Sequence, residues 1–151
     1  MSYSDEINIR IQKAKNKAKK YIEKEQLVSF MNNTKWEEFR KAMLEEMPFP
    51  PPYILKTIYE IEDDSKYYAH FSSDVNYLGG YDEESFVWLQ YYLIEWIKVR
   101  PRYYKVQGGI LASKKIIHDA EKEFIEILNK YYINYEKDND LYVIYGYKRI
   151  G

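Results

Sequence analysis

The sequence predicts an α+β fold: an antiparallel sheet of about five to six strands with helices packed on one face, plus a basic N-terminal helix. Short apolar segments separated by turn residues indicate hairpins, which pair neighbouring strands antiparallel. Two amphipathic helical stripes lie outside these strand runs. Helices segregated from hairpins in this way are typical of the α+β class.

The first helix is predicted over residues 5–30 from apolar residues at three-four spacing. Residues 1–30 carry seven basic and four acidic side chains, a sum of +3, so the remaining chain sums to −4. Such a helix could contact nucleic acid or anionic lipid. It lacks the large apolar anchors of interfacial helices, however, and a solvated amphipathic helix explains it as well. We treat residues 1–30 as an extension and residues 31–151 as a single α+β domain.

Two further helices are predicted, over residues 35–47 and 115–131. Thr34 and Glu37 form a capping-box pattern at the start of the first of them. Both segments show one apolar face, which is expected to cover the sheet. The predicted core contains Trp36, Phe39, Leu55, Ile94, Trp96, Phe124 and Leu128.

The strand pattern is clearest over residues 53–61, where alternation predicts a half-buried strand with a hairpin partner at 66–71. The next apolar segment suits helix or strand, and we expect a helical turn over 82–89 followed by an interior strand over 91–100. Turn residues predict two more hairpins. These pair 103–106 with 110–111 around Gly108-Gly109, and 133–136 with 141–147 around Asp138-Asn139-Asp140.

Composition and charge narrow the classes of function. The chain has no cysteine, which excludes disulfides, thiolate nucleophiles and cysteine-ligated metals. Its formal net charge is −1, so no nucleic-acid partner is expected. There is no signal-peptide pattern and no apolar run long enough to span a bilayer, so we expect a cytoplasmic protein without a membrane partner.

No nucleotide-binding or catalytic-serine motif is present, and His70 and His118 stand in no metal-ligand pattern. The enzymatic alternative is a metal-dependent nuclease, because Asp64 and Lys66 belong to a D-x-K triplet with Glu60 as a further ligand. A solvated turn accounts for the same residues. We therefore expect no enzymatic activity, no cofactor and no metal.

Acidic clusters interleaved with tyrosines predict a surface that binds a protein partner. Tyrosine is favoured at recognition surfaces, and clustered carboxylates complement a basic partner such as a nuclease toxin domain. Solvated loops are the alternative, and the codon usage of an AT-rich genome would also produce the excess of tyrosine. The candidate partner-binding residues are Glu60, Glu62, Asp63, Asp64, Tyr67, Tyr77, Tyr81, Asp82, Glu83 and Glu84.

Three segments resemble an uncharacterised family of small bacterial proteins of the kind associated with immunity proteins of polymorphic toxin systems. They are residues 31–36, 94–99 and 144–147, which read MNNTKW, IEWIKV and IYGY. The resemblance covers Asn32 to Tyr147 and implies no catalytic residues. It implies a non-enzymatic module that binds and neutralises a toxin domain, with an uncharacterised structural domain as the remaining alternative.

Overall fold

A computed structural model describes residues 2–60, 70–83, 86 and 89–150. Within them the chain forms three α-helices and eight β-strands, and every strand pair is antiparallel. The predicted α+β class is therefore confirmed. The helices are α1 (Tyr3–Lys24), α2 (Asn33–Glu45) and α3 (Glu121–Lys130). None of them combines the length and the apolar character of a membrane span.

The eight strands form one four-stranded sheet and two separate two-stranded ladders. The sheet has the order β2-β3-β7-β6, and the ladders are β1-β8 and β4-β5. The strands are β1 (Leu27–Ser29), β2 (Tyr53–Thr57), β3 (Ile94–Val99), β4 (Arg102–Gln107), β5 (Lys114–Asp119), β6 (Glu136–Asp138), β7 (Leu141–Tyr145) and β8 (Tyr147–Arg149).

The interior strand predicted over 91–100 is confirmed as β3, which follows a 3-10 turn at Tyr91–Leu93. It lies between β2 and β7, and five of its six residues are buried. Ile94, Ile97 and Val99 are buried in the main core and Trp96 in the cluster on the opposite face, as expected of a strand covered on both sides.

The main core lies between one face of the central sheet and helices α2 and α3. Trp36 and Phe39 enter it from α2, and Phe124 and Leu128 from α3. Six of the seven predicted core residues are buried, while Leu55 is half-buried against the same cluster. Both predicted helical stripes therefore pack on one sheet face, as expected.

The opposite sheet face carries a second, smaller cluster. Ile54, Trp96 and Val143 pack there against Phe71 and Val75. The sequence placed Phe71 in a strand pairing with β2, and this prediction is wrong. Phe71 lies in a 3-10 turn, and β2 pairs with β3 instead. The remainder of that predicted partner, 66–69, lies outside the described residues.

Two helix starts differ from the predictions. The N-cap of α2 is Asn32, whose side-chain oxygen accepts the Lys35 amide at 2.8 Å, whereas Thr34 already lies inside the helix. The third helix begins at Glu121 and not at residue 115. Residues 114–119 instead form β5, because the β-branched Ile116 and Ile117 pair with β4.

The chain leaves α1 through Gln26, which has a positive φ of 53°. It then forms β1, a strand that the sequence did not predict, in register with β8 from Leu27 opposite Arg149. Ala18, Leu27 and Tyr147 form a third cluster that joins α1 to this ladder.

Candidate functional site

The predicted acidic surface is described only in part. Glu60, Tyr77, Asp82 and Glu83 are exposed. The other acidic residues and one tyrosine lie outside the described residues, namely Glu62, Asp63, Asp64, Tyr67 and Glu84.

Tyr81 is fully buried, which corrects its assignment to a partner surface. Its hydroxyl donates to the Pro51 carbonyl at 2.8 Å, and its ring lies 4.8 Å from Tyr53 and 5.6 Å from Phe86. It is a core residue and cannot contact a partner.

The described acidic residues do not form one patch. Asp82 and Glu83 follow Tyr81, which lies beside Pro51 at the start of β2. Glu60 follows the end of β2, where its Oε1 accepts the Thr57 amide at 3.2 Å and the Thr57 hydroxyl at 2.8 Å. The contacts of the two groups therefore lie at opposite ends of β2, a strand about 13 Å long.

The nuclease alternative concerns the same region. Asp64 and Lys66 lie outside the described residues, so their geometry with Glu60 stays a prediction. In the described ranges, no three histidine, aspartate or glutamate side chains are grouped so that they could hold a metal ion.

The most exposed apolar element of the described chain is the β4–β5 hairpin. Its six residue pairs run from Arg102 opposite Asp119 to Gln107 opposite Lys114. Every residue from 105 to 115 is exposed, so the outer part of the hairpin projects into solvent. The Gly108-Gly109 turn is confirmed. Gly108 has φ +101°, and a Cβ there would collide with the Ala112 carbonyl oxygen.

The end of this hairpin is apolar. Ile110 and Leu111 are each 101% exposed, and Val106 behind them is 61% exposed. We call Val106, Ile110 and Leu111 the apolar tip. The sequence assigned Ile110 and Leu111 to a strand, but they lie in the turn.

The hairpin also carries an excess of positive charge. Lys105, Lys114 and Lys115 lie next to the apolar tip, and no acidic residue occurs between Tyr103 and His118. This combination of a Gly-Gly turn, two aliphatic residues and unopposed lysines is the sequence signal that could have identified the site.

The base of the hairpin is held firmly by Asp74. Arg102 donates to both carboxylate oxygens of Asp74, at 2.7 and 2.8 Å, and lies 3.6 Å from Asp119 across the ladder. The hydrogen bond to Asp74 raises the pKa of Arg102 above its ordinary value, so the guanidinium of this bidentate pair stays charged. The Tyr104 amide also donates to the Val75 carbonyl at 2.9 Å.

Aromatic packing completes the base. The Tyr103 ring is stacked on His118 at 5.0 Å and meets Phe49 edge-on at 4.7 Å. The hairpin is therefore fixed at its base and free at its tip, as expected of a preformed binding element.

Most tyrosines have a structural role. Of the 16 that are described, only four are exposed. Several buried or half-buried tyrosines donate a hydroxyl hydrogen bond to a glutamate on another element and so join the two elements. These pairs are Tyr91 with Glu37, Tyr131 with Glu46, and Tyr142 with Glu121.

The three segments that carry the resemblance meet around Gly146. Its amide donates to the Glu95 carbonyl at 2.8 Å, and its carbonyl accepts the Phe30 amide at 2.9 Å. A groove of about 480 Å³ opens beside it, with tyrosines as its only titratable side chains. The groove is lined by Met31, Asn32, Asn33, Thr34, Trp36, Tyr91, Tyr92, Gly146 and Tyr147.

Comparison with known proteins gives one relationship. No curated protein and no solved structure matches the chain. Residues 18–151 match a family of unknown function, DUF6678, and the match begins at Ala18, the buried residue of α1. The chain therefore belongs to the family DUF6678.

Proposed function

We propose that the chain is a protein-binding module without enzymatic activity, and that it inserts the apolar tip of its β4–β5 hairpin into a partner protein. The observation that carries this proposal is the complete exposure of Ile110 and Leu111, next to each other in one turn. Single exposed apolar residues are common, whereas contiguous ones mark interaction surfaces.

The charge around the tip defines the partner further. Lys105, Lys114 and Lys115 would face the rim of the partner's pocket, which favours an acidic rim. This differs from the basic partner suggested by the acidic clusters of the sequence. The hairpin supports a partner with an acidic rim, because the apolar tip and the three lysines lie on the same rigid element.

The biological role proposed is that of a bacterial immunity protein, acting in the cytoplasm and occluding a toxin domain. Support for this role comes from the sequence resemblance at residues 31–36, 94–99 and 144–147. A projecting hairpin with an apolar tip is suited to filling a cleft, since a few fully desolvated side chains near the centre of an interface carry most of the binding energy.

The test begins in the native cell, with a photoreactive side chain at position 111 and, as a control, at the exposed position 132. A protein that crosslinks at 111 and not at 132 is identified and purified. Its affinity is then measured for the wild type and for the double variant Ile110→Asp, Leu111→Asp. Burial of the two side chains contributes about 3–6 kcal/mol, so the double variant should bind at least a hundredfold more weakly.

Tyr132→Asp serves as the matched control, because Tyr132 is also an exposed apolar residue, at 82%. It should leave the affinity unchanged. If the partner is a toxin, wild-type protein should restore growth to cells that produce it, and the double variant should not. Equal affinity of the double variant and the wild type would show that the hairpin tip is not the interface.

A further inference from the structure

Helix α1 projects from the body along most of its length. Ala18 is its only buried residue, and Tyr21 and Ile22 near its C-terminal end are half-buried. Of residues 3–17, all but the half-buried Ile7 are exposed. Roughly four turns of helix are therefore exposed to solvent.

Five basic side chains form one row along this helix. They follow each other at three-four spacing, which places them on a single face over about 21 Å. All five are exposed, and no acidic residue occurs between Glu6 and Glu23. The basic row consists of Arg10, Lys13, Lys17, Lys20 and Lys24.

No ion pair in the described part of the chain includes a residue of the basic row. Ion pairs form elsewhere, for example between Arg102 and Asp74. Lys17 lies 5.1 Å over the Tyr59 ring, which leaves its charge in place. Like charges three and four residues apart destabilise a helix, so helix stability does not explain the row.

We propose that the basic row of α1 binds the phosphate backbone of a nucleic acid, which goes beyond the protein-binding role of the hairpin. One strand of a duplex carries a negative charge about every 3.4 Å along its axis, so the row spans roughly six phosphates. Contacts of this kind position a protein on the backbone without reading bases. Binding is therefore independent of sequence and strongly dependent on salt.

A membrane surface fits α1 less well. Interfacial helices bury a continuous face of large apolar residues. The apolar line beside the basic row has Ile7 and Ile11 but continues with Ala14 and Ala18, and Ala18 already packs on the domain. The net charge of −1 gives no sign of a site for a polyanion on α1, because the +3 of residues 1–30 is offset by the −4 of the remaining chain.

The test measures fluorescence anisotropy of a labelled duplex DNA of about 20 base pairs, and of a single-stranded RNA, with the full chain at increasing KCl. Five phosphate contacts predict a slope of log K against log salt of about −4.5 on duplex. The triple variant Lys13→Glu, Lys17→Glu, Lys20→Glu should bind at least tenfold more weakly at low salt and show a shallower slope. The neutral variant Lys13→Gln, Lys17→Gln, Lys20→Gln should do the same with helix propensity retained.

The control variant has the same change of charge in the hairpin, namely Lys105→Glu, Lys114→Glu, Lys115→Glu. It should keep both the affinity and the salt slope of the wild type. Absence of binding to both nucleic acids at low salt overturns the proposal. A loss of nucleic-acid affinity in the hairpin variant and not in the helix variants overturns it as well. In a parallel sedimentation assay with anionic phosphatidylserine vesicles, binding to the vesicles and to neither nucleic acid would also overturn it.

Discussion

Lys56 and Glu95 form an ion pair inside the protein, with Lys56 Nζ 2.9 Å from Glu95 Oε2. Their side chains are 3% and 8% exposed. In the β2–β3 register, Lys56 lies opposite Trp96, and the next residue, Thr57, lies opposite Ile94. Glu95 is therefore the extra residue of a β-bulge in β3. The bulge turns the Glu95 carboxylate towards Lys56, and its other oxygen accepts from Arg149 at 2.8 Å.

Glu95→Ala should lower the free energy of unfolding by about 3–5 kcal/mol, because it leaves the Lys56 ammonium buried without its charged partner. Chemical denaturation measures the loss. Glu136→Ala is the matched control, since it breaks an exposed pair with Lys148 and should cost less than about 1 kcal/mol. Similar losses in the two variants would contradict the assignment of Glu95 as an interior partner.

Gly146→Ala should destabilise the fold by about 1–3 kcal/mol or more, as overpacking does. The added Cβ would overlap the Ile94 carbonyl oxygen and press on the Trp36 ring. Gly109→Ala provides the comparison, because a Cβ there meets nothing within 4 Å. In thermal unfolding, the Gly146→Ala variant should melt at a clearly lower temperature than the Gly109→Ala variant. Coincident melting curves would show that the backbone around Gly146 can shift to accommodate the added Cβ.

The elements predicted well from the sequence are those fixed by local pattern. The interior strand β3 follows from apolar residues on both faces. The turn of the closing hairpin follows from its residues, with Asn139 at φ 55° between β6 and β7. The predicted arms 133–136 and 141–147 are wrong in their bounds, because β6 is Glu136–Asp138 and the second arm divides at Gly146 into β7 and β8. Short-range periodicity and turn chemistry are visible in the sequence itself, which is why such elements can be predicted.

The failures involve contacts between residues far apart in sequence. The three-residue ladder of β1 with β8 has no local signal. Tyr81 lies between two acidic clusters in sequence, yet its ring is placed by Pro51 and Tyr53. Ile110 and Leu111 have strand-like side chains, but the wide turn after Gly108 exposes them. The sequence signal at this hairpin could mark its turn and its lysines, but the exposure of Ile110 and Leu111 depends on tertiary structure that composition does not encode.

The free energy of unfolding should fall as pH rises above about 10. Burial first, and then hydrogen bonds to Glu37 and Glu121, raise the pKa of Tyr91 and of Tyr142 well above the ordinary value. Unfolded tyrosines release their protons near pH 10, while these two keep theirs in the folded state. Their stabilisation is therefore complete below pH 10 and is lost at higher pH.

Urea denaturation at several pH values measures this dependence. Tyr91→Phe should make the alkaline fall less steep, because the variant lacks one proton that the folded state retains. Tyr132→Phe, at an exposed ring, is the control. An unfolding free energy that stays constant from neutral pH to well above pH 10 would be incompatible with these two hydroxyls being held in their protonated form.

Substitution of the apolar tip should leave stability unchanged, unlike substitution in the core. The double variant Ile110→Asp, Leu111→Asp removes no packing, since both side chains are fully exposed. Leu128→Ala, at a fully buried position of α3, should lower the free energy of unfolding by about 2–5 kcal/mol. A large loss from the tip variant would mean that the tip packs within the protein and is not free to bind.

The pairing of β1 with β8 has a kinetic consequence. It joins Leu27 to Arg149, so almost all of the described chain lies inside the loop that this ladder closes. Loop-closure entropy makes such a contact slow to form, and we expect it to be among the last steps of folding. Its reverse is a partial opening that releases β8 and α1 together and leaves the central sheet intact. Hydrogen exchange should therefore show the amides of β1 and of the packed end of α1, from Ala18 to Lys24, exchanging as one cooperative unit, faster than those of β3.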